Sequence, residues 1–294
     1  MKSSKDRLIT FMFEKKNTRA NAVQISESWR KVVLNHSDLP EVAKKILGEL
    51  TVASILLSSS IKNKGSVALQ IIGHGPIKLA FAECESDYTF RSTIKISNRV
   101  KNFDSLNFRE MFPINGKSTF SVSINSKDTN KLPYQGIIPI EGENLSQVLK
   151  NYLRNSEQIS SDIILCANLK TAKGMLIQKM PGTKEDDQSE WVRLKKIFSN
   201  LNPFELVQDD MQKLSECIFE ELKPKKLKDK PPTFGCKCSR YKVENIIKQM
   251  GKDETEKLLK SKGLICVTCS FCNCVYNYSK ESCNKLFSKN SLSH

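Results

Sequence analysis

The sequence has few histidines, and none of them lies in a recognisable catalytic pattern. His36, His74 and His294 stand apart from any serine or cysteine nucleophile motif. His74 lies between two glycines and is typical of a turn residue. A GxxxxGK[ST] phosphate-binding loop is missing as well. These absences exclude the usual hydrolase and nucleotide-binding signatures, and we expect that the protein is not an enzyme.

Long apolar runs are also missing. The longest uncharged apolar stretch, residues 51–61, is far shorter than the ~20 residues that a membrane-spanning helix needs. The early apolar run at residues 8–13 lies between Arg7 and Glu14 and has neither the length nor the cleavage site of a secretory signal. We therefore expect no membrane partner and a cytoplasmic location.

Acidic residues are outnumbered, because 47 Lys and Arg stand against 32 Asp and Glu, for a net charge of +15. Such an excess can attract nucleic acid or an anionic surface. Here the surplus is mostly lysine spread along the whole chain, without an arginine-rich recognition helix. The densest basic cluster, residues 223–228, contains a proline and indicates a solvated linker. We expect no nucleic acid partner, and the sequence leaves the meaning of the charge open.

Cysteine is unusually abundant, with ten in the chain. In a reducing cytosol these thiols stay free unless they serve metal or redox chemistry. Cys84, Cys166 and Cys217 are scattered singly and are typical of core thiols. The other seven fall between Cys236 and Cys283, so the chemistry is expected there.

Residues 1–181 are predicted to form an α+β domain built on an antiparallel sheet. A helix should begin at Pro40, and strands with one apolar face should follow it. The predicted strand positions have a period of two, and a helix is expected near residues 145–154. The alternating apolar residues are Val67, Leu69 and Ile71, then Leu79 and Phe81, then Phe120, Val122 and Ile124. Two further strands are expected at residues 163–167 and 174–180.

Residues 182–232 are predicted to form a helical linker after the turn signal Pro181-Gly182. Trp191, Leu194 and Phe198 suit one short helix. A second helix should begin at Pro203 with Asn202 as its N-cap, and its apolar residues are Phe204, Val207, Met211, Leu214 and Ile218. These stripes should dock on the preceding sheet, and the charged surroundings predict marginal docking.

Residues 233–294 contain two close cysteine pairs, Cys236-Lys-Cys238 and Cys269-Ser-Phe-Cys272, separated by thirty residues. This pattern predicts one tetrahedral Zn²⁺ site with four thiolate ligands. The insert should hold a helix capped by Ser239 and stopped by Gly251, then a helix that Asp253 and Glu256 open and Gly263 ends.

Cys266 offers an alternative pair, Cys266-Val-Thr-Cys269. Its two central residues are β-branched and favour a strand at residues 264–268, whereas Asn273 tolerates the left-handed conformation of a metal knuckle. We therefore predict a hairpin with the ligands Cys269 and Cys272 at its tip. Cys266, Cys274 and Cys283 are left without an assigned role, and Cys274 can compete for the metal.

The sequence resembles the redox-regulated thirty-three-kilodalton chaperonin family, also called the heat shock protein 33 family, over nearly its whole length. The cysteine pairs, with Ser239-Arg240 after the first, carry the resemblance. Supporting motifs are Gly73-His-Gly-Pro76, Tyr134-Gln-Gly136, Ser156-Glu-Gln158 and the segment from Gly174 to Pro181. Where the family usually has Gly after the last ligand this chain has Asn273, and its positive charge is unlike that of acidic members.

The resemblance implies an ATP-independent holdase that is zinc-bound and inactive when reduced. It implies that oxidative stress joins Cys236 to Cys238 and Cys269 to Cys272 as disulfides and releases zinc. The linker would then unfold, and a homodimer would hold unfolding client proteins until thioredoxin or glutaredoxin systems reduce it. The extra thiols leave alternative disulfides open.

Two other functions remain as alternatives. A zinc-ribbon nucleic-acid-binding protein would show tight, salt-dependent binding to DNA or RNA. A thiol–disulfide oxidoreductase would turn over in an insulin-reduction assay, but that chemistry usually places the first cysteine at a helix N-terminus. The sequence names neither the clients nor the activating oxidant.

Overall fold

The computed structural model describes residues 6–13, 18–61, 65–98, 100, 102–113, 117–128, 132–156, 160–180, 188–208, 210–219, 224–227 and 230–288, without the side chains of residues 156, 188–190, 212 and 217. The predicted boundary at residues 181–187, residue His294 and the side chain of Cys217 lie outside this description. The chain divides into two compact units, Met1–Gly235 and Cys236–His294.

Alternating apolar residues form two large sheets in the first unit. Its strands are β1 Arg7–Phe13, β2 Thr18–Ile25, β3 Gly65–Ile72, β4 Ile77–Glu85, β5 Thr89–Ile96, β6 Thr119–Ser126, β7 Tyr134–Pro139, β8 Ser161–Ala167, β9 Ala172–Lys179, β10 Lys225–Lys226 and β11 Thr233–Phe234. The first sheet has the order β10-β1-β2-β9-β8, and the second sheet has the order β11-β5-β4-β3-β6-β7. All described pairs in the unit are antiparallel except β11 with β5. The prediction of an α+β fold with antiparallel sheets is confirmed.

Seven helices of the first unit fall within the described ranges: α1 Glu27–Asn35, α2 Glu41–Ser60, α3 Phe108–Met111, α4 Leu145–Ser156, α5 Gln188–Ser199, α6 Pro203–Gln208 and α7 Met211–Phe219. Helix α2 follows Pro40 as predicted and contacts strands of both sheets. It buries Leu47, Leu50 and Leu56 completely. Gly48 permits close approach, since an added Cβ would lie 2.6 Å from the Cβ of Ala167. The main core therefore forms around one central helix.

Helices α5, α6 and α7 cover the face of the first sheet that points away from α2. Leu206 and Met211 are buried there, and α6 contacts β8 and β9 while α7 contacts β2. The buried members of this cluster are Ile9, Phe11, Phe13, Ala20, Ala22, Ile164, Cys166, Met175, Ile177, Leu194, Phe198, Leu206, Met211 and Phe219. The helices thus dock on the sheet domain, as the apolar stripes indicated, and both faces of this sheet are buried.

The second unit contains helices α8 Arg240–Met250, α9 Lys252–Lys262 and α10 Lys280–Ser288, with a hairpin of β12 Ile265–Thr268 and β13 Val275–Tyr278. Its small core joins residues of all three helices and the hairpin, and the fully buried side chains there are those of Ile247, Tyr278 and Cys283. A core of this size gives little stability by itself. Within the described part of the chain, no helix combines the length and apolarity needed to cross a membrane.

Several local predictions were wrong. The single helix predicted from Pro203 is broken into α6 and α7, because Asp210 begins a new helix: its side chain accepts a hydrogen bond from the N–H of Lys213 and its carbonyl accepts one from Leu214. Phe204 is not part of the buried stripe, because its side chain is 79% exposed while Leu206 is buried. The Asn202 cap is confirmed by its side-chain bond to the N–H of Phe204.

Two further predictions need correction. Asp253 does not cap α9, which begins at Lys252 with Gly251 in the N-cap position and no side-chain cap. On β4, Leu79 and Phe81 lie on the partly exposed face, and the buried face consists of Ala80, Ala82 and Cys84. In this strand small residues face the core because α2 packs directly on it.

Candidate metal centre

Four cysteine sulfurs of the second unit converge on one point. The Sγ atoms of Cys236, Cys238, Cys269 and Cys272 all lie within 4.8 Å of one another. The Sγ atoms of Cys236 and Cys269 are 3.6 Å apart, and those of Cys238 and Cys272 are 3.4 Å apart. Zinc–sulfur bonds of ~2.3 Å in a tetrahedron require sulfurs roughly 3.8 Å apart. The donor set therefore fits a four-coordinate thiolate site, and this group can hold a metal ion.

The first pair lies in the turn that leads into α8. Ser239 caps this helix as predicted, since its hydroxyl accepts a hydrogen bond from the N–H of Lys242. The N–H of Cys238 points at the sulfur of Cys236 over 3.4 Å. The Nζ of Lys242 donates to the carbonyl oxygen of Lys237 over 2.8 Å, which ties the residue between the two cysteines to the helix. These contacts hold Cys236 and Cys238 so that both sulfurs lie beside the sulfurs of the second pair.

The second pair occupies the tip of the predicted hairpin. Thr268 pairs with Val275 at the end of the ladder, and the N–H of Cys269 donates to the carbonyl of Cys274 over 3.0 Å. Asn273 has the left-handed conformation expected of it, with φ 54°, and its N–H donates to the carbonyl of Cys269 over 2.9 Å. The tip therefore closes tightly around Cys269 and Cys272.

Two tyrosines on β13 tie the hairpin to the first pair. The hydroxyl of Tyr276 donates to the sulfur of Cys238 over 3.2 Å, and this bond lowers the pKa of Cys238 to about 7. The hydroxyl of Tyr278 donates to the carbonyl oxygen of Arg240, whose guanidinium lies 4.8 Å over the Tyr278 ring. Sequence reasoning placed both tyrosines on this strand but missed these contacts. Their spacing of two, which puts them on one strand face, was the available signal.

The other thiols have separate environments. Cys266 and Cys274 are exposed, and Cys283 is buried in the small core of the second unit. In the first unit Cys84 and Cys166 are buried, and burial raises the pKa of each to about 12. They are the inert core thiols that were predicted. Thus the four cysteines predicted as ligands are brought together, and their binding of an ion stays a prediction.

The arrangement permits two kinds of chemistry. Four thiolates at this spacing suit a soft or borderline cation such as Zn²⁺, and the same thiols can be oxidised in pairs to disulfides. Cys269 and Cys272 lie at a hairpin tip rather than at a helix N-terminus, which removes the helix-dipole activation typical of oxidoreductases. Cys238 directly precedes Ser239, the N-cap of α8, so the first pair does lie near a helix N-terminus. The convergence of four sulfurs from both pairs nevertheless favours a site that is held closed by metal over a catalytic dithiol.

Comparisons with known proteins agree with this arrangement. A family model described as "Hsp33 protein" matches residues 6–279. The "33 kDa chaperonin" of Methylobacillus flagellatus is 34% identical over 284 residues, which cover 96% of this chain and 94% of that protein. The protein of the same name from Nitrosococcus oceani is 31% identical over 293 residues, covering 98% of this chain and 96% of the relative.

A solved structure has a similar fold. The crystal structure of a 33 kDa chaperonin from Thermotoga maritima matches with a TM-score of 0.82 and covers 98% of this chain and 100% of the other. Its sequence is 23% identical, so it supports the fold alone.

Proposed function

The chain belongs to the Hsp33 family of chaperones, and from this premise we propose that it is an ATP-independent holdase switched on by oxidation. In the reduced state the four cysteines hold one Zn²⁺ and the chaperone is inactive. Oxidation removes the metal and allows the protein to bind unfolding clients. The observation that carries the proposal is the convergence of four sulfurs from two separated pairs within 4.8 Å.

Cys236, Cys238, Cys269 and Cys272 are the proposed ligands. The ion, when bound, supplies a cross-link between the turn before α8 and the hairpin tip. Structural zinc contributes roughly 10–16 kcal/mol to small modules of this kind. Because the second unit has only a small apolar core, this contribution is large enough to decide whether the unit stays folded.

The proposed switch oxidises each pair by two electrons. One molecule of hydrogen peroxide converts two thiols into one disulfide and is itself reduced to two molecules of water. We propose the pairs Cys236–Cys238 and Cys269–Cys272. Two such events use all four ligand thiols, so the oxidised unit no longer has a donor set for the ion. Thiol reductants such as thioredoxin or glutaredoxin systems would return the electrons.

The first unit offers an apolar surface that the switch can uncover. Helices α5, α6 and α7 cover one face of the first sheet, and the contact buries phenylalanine rings from both sides, such as Phe11 and Phe198. These helices have exposed apolar residues too, including Val192 and Phe204. We propose that they belong to a metastable linker, residues 182–232, which unfolds on oxidation and exposes both surfaces.

We propose separate roles for the remaining two segments of the chain. Residues 1–181 form the core for client binding and for the homodimer of the oxidised state. Residues 233–294 form the zinc redox switch. The protein acts in the cytoplasm, without a catalytic residue and without a membrane or nucleic acid partner.

One experiment tests the function directly. Zinc content, free thiols and suppression of client aggregation are measured in the same sample before and after peroxide with mild heat. We expect about one zinc per reduced chain, loss of four thiols with the zinc, and gain of aggregation suppression. A chain that is metal-free yet fully folded when reduced, or that protects clients equally before and after metal loss, would refute the proposal.

A further inference from the structure

A cavity of about 300 Å³ lies in the first unit between its two sheets. It is bounded by the end of α2, by α4, and by strands β2, β6 and β9. Most of its wall is apolar, with Leu57, Ile61, Val122, Ile124 and Leu153 as the main contributors. A volume near 300 Å³ is at the lower end for small-molecule sites.

One side of this apolar cavity carries the guanidinium of Arg19. Strand pairing places Arg19 directly opposite Gln178 of β9. Its Nη2 donates to the side-chain oxygen of Gln178 over 3.0 Å and to the carbonyl oxygen of Ser60 over 2.7 Å. These two bonds hold the planar group against the cavity wall, so its position is fixed by the fold.

The Nε of Arg19 is buried and has no hydrogen-bond partner, the one side-chain atom in that condition in the described part of the chain. Among the described residues no carboxylate forms an ion pair with Arg19. Burial lowers the pKa of Arg19, which reflects a cation separated from water without an anion to compensate it. A buried donor without a partner is costly, so the fold does not satisfy all the donors of this cation.

The charges around the cavity favour an anion. Lys179 also lines it, and none of the described lining residues is acidic. Both N–H groups of Nη2 are already used by Gln178 and Ser60, so a carboxylate would accept from the remaining donors of the guanidinium. Such charge-assisted bonds are among the strongest in proteins. The other residues that line the cavity are apolar, apart from Ser60, Gln178 and Tyr152.

We propose that this cavity binds a small amphipathic carboxylate, with its head group on Arg19 and its apolar tail against Leu57, Ile61 and Ile124. The small volume favours a free medium-chain acid over a polypeptide segment. The ligand would contact both sheets at once and would stabilise the first unit. The inference does not depend on the cysteine centre, and it applies to the reduced, metal-loaded protein.

Isothermal titration of the reduced full chain with octanoate and with octanol tests the charge requirement. We expect saturable one-site binding of octanoate and binding of octanol that is roughly tenfold weaker or more, because octanol lacks the charged acceptor. Equal affinities for the two, or binding that does not saturate, would overturn the proposal. Tighter binding of a short peptide with a free C-terminal carboxylate would overturn the choice of a small acid.

Variants locate the site. Arg19→Met should weaken octanoate binding roughly tenfold or more, whereas Arg30→Met, at an exposed arginine of α1, should leave it unchanged. Ile124→Phe should block binding by filling the cavity while keeping the cation. If Arg19→Met does not fold, isoleucine methyl NMR on the native chain decides. Octanoate should shift the methyl signals of Ile61 and Ile124 at concentrations that leave the signal of Ile265 unchanged. Unchanged signals of Ile61 and Ile124 would refute the site.

Discussion

The ring of Phe219, at the end of α7, packs edge-on against the ring of Phe11 on β1, with centroids 5.2 Å apart. Phe13 approaches the same ring at 5.4 Å. Phe219 is completely buried. One residue of the proposed linker therefore contacts two aromatic residues of the sheet, and it is the clearest single point at which the linker is held in place.

Replacing Phe219 by Ala should loosen this contact. Truncation of a buried phenylalanine costs about 3–5 kcal/mol, which exceeds what a marginally docked segment can lose. We expect the reduced, zinc-loaded variant to suppress client aggregation without oxidant and to be cleaved faster by protease between residues 183 and 230. Phe204→Ala, at a side chain that is 79% exposed, is the matched control and should behave as the native protein. Faster cleavage without any gain of chaperone activity would show that the cover does not limit client binding.

Metal content should depend on four of the cysteines only. Cys238→Ser or Cys269→Ser should reduce bound zinc from about one per chain to a small fraction, because the remaining three thiolates leave the tetrahedral set incomplete. Cys266→Ser, at an exposed thiol outside the sulfur cluster, is the control and should retain zinc. Elemental analysis of the reduced proteins provides the measurement. Full zinc content in Cys238→Ser would mean that another thiol, such as Cys274, had replaced it.

Metal removal should unfold the second unit and leave the two sheets of the first unit folded. A strong chelator added to the reduced protein should lower the helix content contributed by α8, α9 and α10. The signal of Trp29, which is buried in the main core, should stay unchanged. Trp191 lies in the proposed linker, so the Trp191→Phe variant is used to isolate the Trp29 signal. Circular dichroism and fluorescence of one sample measure the two effects. Retained helix content after complete zinc loss would contradict the stabilising role of the metal.

The hairpin tip gives a test of backbone conformation. Asn273 has φ 54°, a conformation that costs a residue with a Cβ roughly 1–2 kcal/mol more than it costs glycine. Asn273→Ala should therefore weaken zinc binding, measured by competition with a chelator, by roughly tenfold. Asn273→Gly should bind at least as tightly as the native chain. If both variants bind equally, the left-handed turn is not required to hold Cys269 and Cys272 in place.

The sequence allowed the main elements and the sulfur cluster to be predicted because those features have a regular spacing. Alternation identified β6, and the two cysteine pairs identified the proposed ligands. The break before α7 could not be predicted, since Val207, Met211 and Leu214 continue a helical period across it. The hydrogen bond from Tyr276 to Cys238 was also missed, because it joins elements 38 residues apart in the chain. The cavity at Arg19 has no sequence signal, since five separate elements form its wall.

Glu49 on α2 gives the first unit a specific pH dependence. Burial raises the pKa of Glu49 from 4.5 to about 8, and Lys45 one turn earlier opposes the rise only in part. Its charge in turn helps to raise the pKa of Cys166, whose other charged neighbour is the buried Lys173. Because burial penalises the charged form, the folded chain favours the protonated carboxyl of Glu49.

Between pH 4.5 and about 8 the folded state binds more protons at Glu49 than the unfolded state does, so the unfolding free energy should fall as the pH rises. One group contributes at most about 1.4 kcal/mol per pH unit. Glu49→Gln should flatten this slope and should be more stable than the native chain at pH 8, whereas Glu27→Gln, at an exposed carboxylate on α1, should not. Urea unfolding followed by tryptophan fluorescence at several pH values measures the slope. An unchanged slope in Glu49→Gln would mean that this carboxyl is already ionised in the folded protein at neutral pH.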